Sequence, residues 1–130
     1  MQISIGISVG GAQKSAPLGA PVNTVSPVIS GTTTLGSVLT STTGTWTNSP
    51  SSFTYQWVRG FINVGTNANT YTLVQADSAS AITCVVTATN ASGSTPATSN
   101  IITAGYYGDF RVTEDGNQII TENNDKRITE

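Results

Sequence analysis

The chain has 130 residues, the length of one ordinary domain with room for one hydrophobic core, and 37 of its positions are serine or threonine. Only 9% of residues are charged, against about 25% in an average soluble domain, and the formal net charge is -2, carried with no basic stripe, which predicts no nucleic-acid partner. Histidine is absent and Cys84 is the single cysteine, so acid-base, metal and nucleophilic chemistry lack their usual materials: the sequence predicts no enzyme, no cofactor, no metal and no intrachain disulfide.

The first segment, residues 1–18, is a strand arm and a linker. Ile3, Ile5, Ile7 and Val9 recur at period 2 and so share one face of an extended strand. Gly10 to Pro21 is rich in glycine and proline, which free the backbone and remove ladder donors. Two readings stay open for the arm: addition as a strand to a neighbouring subunit, or an edge strand of its own domain. Residues 1–11 lack the cationic start of a secretory signal, and no apolar run reaches the roughly 18 residues of a membrane span. The expectation is a chain made in the cytoplasm with no membrane partner.

The body, residues 19–104, reads as short strands between turn signals: Val22 to Ile29, Ser37 to Ser41, Phe53 to Arg59, Phe61 to Val64, Thr70 to Val74, Ala81 to Thr89 and Thr95 to Thr103. No helical period appears, and parallel crossovers have no room between strands so close together. The predicted fold class is all-β, an immunoglobulin-like antiparallel β-sandwich with an N-terminal strand arm and a C-terminal short-repeat β tail. Phe53, Tyr55 and Trp57 share one strand face and Ile82, Cys84, Val86 and Ala88 share another, which predicts two core walls facing each other. Trp57 and Cys84 take the places of the central tryptophan and of the second bridging residue of such a sandwich, with Leu39 as the partner on the second strand. Leu39, Trp57 and Cys84 are therefore predicted core, and the thiol is read as an inert small hydrophobe. Trp46 is read as a cap on that core. Asn90, Ala91 and Ser92 spell a glycosylation sequon that is read as a turn.

The tail, residues 105–130, differs in character. From Met1 to Gly108 only Lys14, Arg59 and Asp77 are charged, whereas Asp109 to Glu130 holds nine charged residues, six of them acidic. It repeats every eight residues, with Thr113-Glu114, Thr121-Glu122 and Thr129-Glu130 in phase, and Asp115-Gly116 is a favoured hairpin turn. A meander of hairpins places Val112, Ile119 and Ile128 opposite one another, whereas parallel stacking of the repeats aligns Val112, Ile120 and Ile128; both geometries stay open. Glu114, Asp115, Glu122 and Asp125 lack the spacing of a calcium loop and read as solvated turn charges. Tyr106 and Tyr107, between Gly105 and Gly108, are candidates for contact with a partner.

Several pieces of the body, taken together, resemble the immunoglobulin-like modules of tailed-bacteriophage structural proteins and of some bacterial surface proteins. They are Pro27 to Gly31, Gly44 to Trp46, Tyr55 to Trp57, Tyr71 to Leu73 with Ala76-Asp77, Ile82 to Cys84, and Thr89 to Gly93. The tail is similar to the "ITEDG"-type repeats at the ends of many phage structural proteins, here as Val112 to Gly116 and Ile128 to Glu130. Two positions depart from antibody-type domains: Leu39 replaces the first cysteine and Ile82 a corner tyrosine. The resemblance implies a non-enzymatic accessory protein on the virion surface, most simply decorating the head. Its partners would be the major capsid protein or other virion proteins, with copies forming a homo-oligomer or sitting on a lattice. Attachment or assembly would then fall to Ile3, Ile5, Ile7, Val9, Val112, Ile119 and Ile128. The other expectation is a receptor- or carbohydrate-binding module of a tail fibre or surface adhesin, using the loops at Asn48 to Ser52 and Gly65 to Asn69.

Overall fold

The computed structural model describes residues 18–106 and the backbone of residues 111–112 and 119–120. Among the described residues the chain is all-β, with antiparallel pairing in every sheet. Two sheets meet over one core in a sandwich-like arrangement. The shorter runs β2 (Ile29–Ser30), β3 (Val38–Ser41) and β7 (Thr70–Thr72), in that order. The larger centres on β5 (Ser52–Arg59) and β8 (Ala81–Asn90), which pair over eight positions from Ser52↔Thr89 to Arg59↔Ile82. Beyond β5 lies β6 (Ile62–Val64), and the other edge of β8 is shared by β9 (Gly93–Thr98) and β10 (Ile102–Thr103). A separate pair joins β1 (Val22–Val25) to β4 (Thr45–Thr47). In the tail, β11 (Arg111–Val112) pairs antiparallel with β12 (Ile119–Ile120), in the register Val112↔Ile119 and Arg111↔Ile120.

The expectation of two facing walls needs correction. Trp57 and Cys84 are cross-strand partners, as are Tyr55 and Val86, and Phe53 and Ala88, so both rows belong to one wall of one sheet. The wall opposite comes from Ile29, Leu39, Tyr71 and Leu73, on or beside the strands of the other sheet. Alternation along a strand fixes which side of its own sheet a residue takes. It does not say whether two alternating strands are neighbours or face each other.

Two predicted strands are each broken in the structure. Val22 to Ile29 becomes β1 and β2, which pair with different strands and flank the buried Pro27, a residue with no N–H for a ladder. Thr95 to Thr103 becomes β9 and β10, separated by a jog whose polar side chains replace the missing ladder. Ser99 Oγ accepts from Cys84 N–H at 2.9 Å. Asn100 crosses to the other sheet, where Oδ1 accepts from Ile29 N–H at 2.7 Å and Nδ2 donates to Ile29 carbonyl oxygen at 3.3 Å. The strand β4 was not expected, and Trp46 within it is partly buried outside the main core cluster, its ring centroid 6.3 Å from that of Phe53.

Leu39, Trp57 and Cys84 have no exposed surface. Trp57 stacks on Tyr71 with ring centroids 5.5 Å apart, and its indole N–H donates to Ala68 carbonyl oxygen at 2.9 Å. The tryptophan thus joins the two sheets through its ring while its one polar atom stays satisfied.

Candidate functional site

The two ends of the body differ in chemistry. At the end where the described chain begins, Asn90 closes β8 and saturates its side-chain amide. Nδ2 donates to the carbonyl oxygens of Gly19 at 2.9 Å and Asn48 at 2.7 Å, while Oδ1 accepts from Ser92 N–H at 2.8 Å and Gly93 N–H at 3.1 Å. One side chain therefore gathers the segment before β1, the loop before β5 and the turn between β8 and β9. Ser92 Oγ also donates to Leu18 carbonyl oxygen, and Asn48 Nδ2 donates to Ala20 carbonyl oxygen at 2.8 Å.

These segments line an open groove of about 430 Å³ that includes Asn48, Ser49, Ser51, Asn90 and Ser92. Asn48 and Ser49 adopt φ of 61° and 47°, a left-handed pair just before Pro50 that the hydrogen bonds hold in place. With Nδ2 committed twice, the sequon asparagine serves as the clamp of a turn. The Gly65 to Asn69 loop runs elsewhere, along the edge of β5: Asn67 Oδ1 accepts from Tyr55 N–H at 2.8 Å, beside the Ala68 bond to Trp57. The two loops expected to act together in ligand binding are thus separately engaged.

At the opposite end sits a charged cluster around Asp77, whose side chain has no exposed surface. Its Oδ1 lies 3.2 Å from Arg59 Nη1, and its Oδ2 accepts from Tyr71 O–H and from Val74 N–H, each at 2.8 Å. The carboxylate thereby ties the end of β5 to the 3₁₀ turn Gln75–Asp77 that follows β7. Burial, then the hydrogen bond to Asp77 and its charge, push the Tyr71 hydroxyl up to about 12, with Arg59 pulling the other way. Burial also pushes the Cys84 thiol up, opposed by hydrogen bonds to Ser41 and to the Gln56 backbone. A thiol in this setting is poorly ionised and sterically screened.

The same end carries exposed apolar side chains. Gly60, at φ 58°, turns the chain from β5 into β6 and leaves Phe61 wholly exposed, with a relative exposure of 104%. Ile62, Val74 and Tyr106 are about half exposed or more. Among the described residues, no three His, Cys, Asp or Glu side chains come together to hold a metal, and no helix is long and apolar enough to cross a membrane.

Of the residues singled out from sequence, Leu39, Trp57 and Cys84 lie in the core and Tyr106 is exposed where the described body ends. Val112 and Ile119 are paired in the β11–β12 backbone. Ile3, Ile5, Ile7, Val9, Tyr107 and Ile128 lie outside the described residues, as do the tail carboxylates. Sequence reasoning missed Phe61 as a surface residue, since it reads as part of a strand. It also missed Asn90 and Asp77 as structural anchors. A lone acid in a body whose one other charged residue is Arg59 is a signal that points to Asp77. Compared with known proteins, the chain matches no family model, no curated protein and no solved structure.

Proposed function

We propose that this chain is a non-enzymatic accessory structural protein of a tailed-phage virion, decorating the head, with an immunoglobulin-type sandwich displayed outward and fastened by its arm, its tail or both. The observation that carries the reading is the meeting of Leu39, Trp57 and Cys84 in one core, between a β2–β3–β7 sheet and a larger sheet in which β8 lies between β5 and the β9/β10 edge. That placement agrees with the strand positions on which the likeness to phage immunoglobulin-like modules rests. The eight-residue tail repeat is the second support, because it resembles the repeats at the ends of phage structural proteins.

On this reading the partners are the major capsid protein or other virion proteins, and attachment works by main-chain pairing and burial of aliphatic residues. Immunogold labelling of intact particles with an antibody to the body tests it. Label distributed over the heads supports decoration. Label confined to tail tips, or to cells without particles, contradicts it.

The polar groove beside Asn90 favours a second reading, a receptor- or carbohydrate-binding module of a tail fibre or surface adhesin. Much of its polar lining is already bonded within the chain, which leaves few groups to grip a sugar. Saturable binding on a glycan array, abolished by substitutions at Ser49 and Ser92, is the result that would favour it.

A further inference from the structure

The chain enters and leaves the body at opposite ends, and both passages are fixed by hydrogen bonds. At the entry, three successive carbonyl oxygens are each held by a side chain: Leu18 by Ser92 Oγ, Gly19 by Asn90 Nδ2 at 2.9 Å and Ala20 by Asn48 Nδ2 at 2.8 Å. These bonds put the entry beside Asn90, the last residue of β8. At the exit, the pairing Thr103↔Ala81 between β10 and β8 continues past the start of β8. Ala104 N–H donates to Ser80 carbonyl oxygen at 2.9 Å, and Gly105 carbonyl oxygen accepts from Ala79 N–H at 3.2 Å. Gly105 N–H donates to Thr33 carbonyl oxygen at 2.6 Å, and a Cβ at Gly105 would stand 2.9 Å from that same oxygen, so the close passage requires glycine. The ten residues of β8 separate entry from exit by about 30 Å.

Charge follows the same division. Residues 18–106 carry two charged side chains, Arg59 and Asp77, and they form an ion pair at the exit end, where Arg59 pairs with Ile82 near the start of β8. The sequence beyond the exit holds nine more between Asp109 and Glu130, whereas the sequence before the entry holds Lys14 alone, with Ile3, Ile5, Ile7 and Val9. Charged side chains are costly to strip of water and are depleted from the buried centres of protein interfaces. The entry end and the arm are therefore the half that a protein surface covers at low cost, and the exit end and the tail are the half suited to water. The tail is also tethered to its own half. Five residue steps from Tyr106 to Arg111 reach at most about 18 Å, short of the length of β8.

We infer that the body stands on the particle with its Asn90 end inward and its Asp77 end outward, so that the arm and the loops around Asn90 meet the shell and the tail meets solvent. The inference rests on the virion reading and narrows it. Fastening falls to Ile3, Ile5, Ile7 and Val9, while Val112, Ile119 and Ile128 belong to the outward end and have no part in contact with the shell.

Co-sedimentation of the full-length protein with purified heads that lack it tests the orientation, with a bulky polymer-maleimide coupled to an introduced thiol before mixing. The variants are Ala91→Cys at the Asn90 end and Phe61→Cys at the Asp77 end, both at exposed positions, while the native Cys84 is buried. Without polymer, both variants are expected to bind as wild type does. Polymer at position 91 should reduce bound protein to background, and polymer at position 61 should leave it unchanged. Ser51→Cys, in the loop before β5, replaces Ala91→Cys if that substitution alone disturbs the turn. Binding that tolerates polymer at position 91, or that is lost with polymer at position 61, overturns the orientation, and the virion reading stands because the unlabelled chain still binds. A wild-type chain that does not bind heads removes the virion reading itself and the orientation with it.

Discussion

The hydroxyl of Tyr71 donates to Asp77 Oδ2 at 2.8 Å, and the same carboxylate lies 3.2 Å from Arg59 Nη1 through its other oxygen. A phenol from one sheet, a guanidinium from the other and a backbone N–H thus converge on a single buried acid. Removing it strands three donors at once. Asp77→Ala is expected to destabilise the body by about 3 kcal/mol, and Asp77→Asn by less, read as a fall in the denaturation midpoint with an unchanged slope.

The raised pKa of Tyr71 makes stability fall in alkali. Its folded value of about 12 lies above the ordinary 10.0, so the folded chain holds a proton that the unfolded chain loses first. The contribution is complete below pH 10 and is lost as pH rises through 12. The slope from this one proton is at most about 1.4 kcal/mol per pH unit. Tyr55, also raised by burial, adds in the same direction. Tyr71→Phe should flatten the decline between pH 10 and 12 in denaturation curves, and an unaltered slope would show that Tyr71 is not its source.

Cys84 is wholly buried, and its thiol is pushed above the ordinary value. Modification by a thiol reagent is expected only when the molecule unfolds, with a rate that becomes independent of reagent concentration. Second-order labelling of the native protein at the rate of a free thiol would contradict the core placement. Replacing the opposing Leu39 with alanine should cost about 2 to 5 kcal/mol and hasten the labelling.

Asn90 holds three segments through four hydrogen bonds. Asn90→Asp keeps the size and the acceptors but removes both donors, so the Gly19 and Asn48 carbonyl groups lose their partner. A loss of about 1 to 3 kcal/mol is expected, with faster amide exchange confined to residues around the groove. Uniformly faster exchange would instead mean that Asn90 supports the whole fold.

The all-β class was legible because the period-2 rows at Phe53, Tyr55, Trp57 and at Ile82, Cys84, Val86 are long and cleanly punctuated. Partnership between strands was not legible. Those rows became neighbours in one sheet, since alternation carries no information on which strand lies alongside. The break at Pro27 falls on a residue with no ladder donor, and the break at Ser99 to Ile101 falls where Ser99 bonds to Cys84 of its own sheet and Asn100 bonds to Ile29 of the other, a tertiary effect invisible to local pattern. Phe61 reads as a strand residue by type, and only the left-handed Gly60 puts it at a turn. Asn90 looked like an ordinary turn residue because its Gly19 and Asn48 partners are distant in sequence. The arm residues and Ile128 lie outside the described residues, so their part in attachment rests on sequence pattern.

Co-sedimentation with purified heads that lack the protein tests the central claim most directly, using the wild-type chain and the Ile5→Asp, Ile7→Asp double variant. Saturable binding of wild type, lost in a double variant whose Cys84 stays protected, is the predicted result. Failure of the wild-type chain to bind heads, together with saturable binding to host cells, would contradict decoration and favour a receptor-binding module.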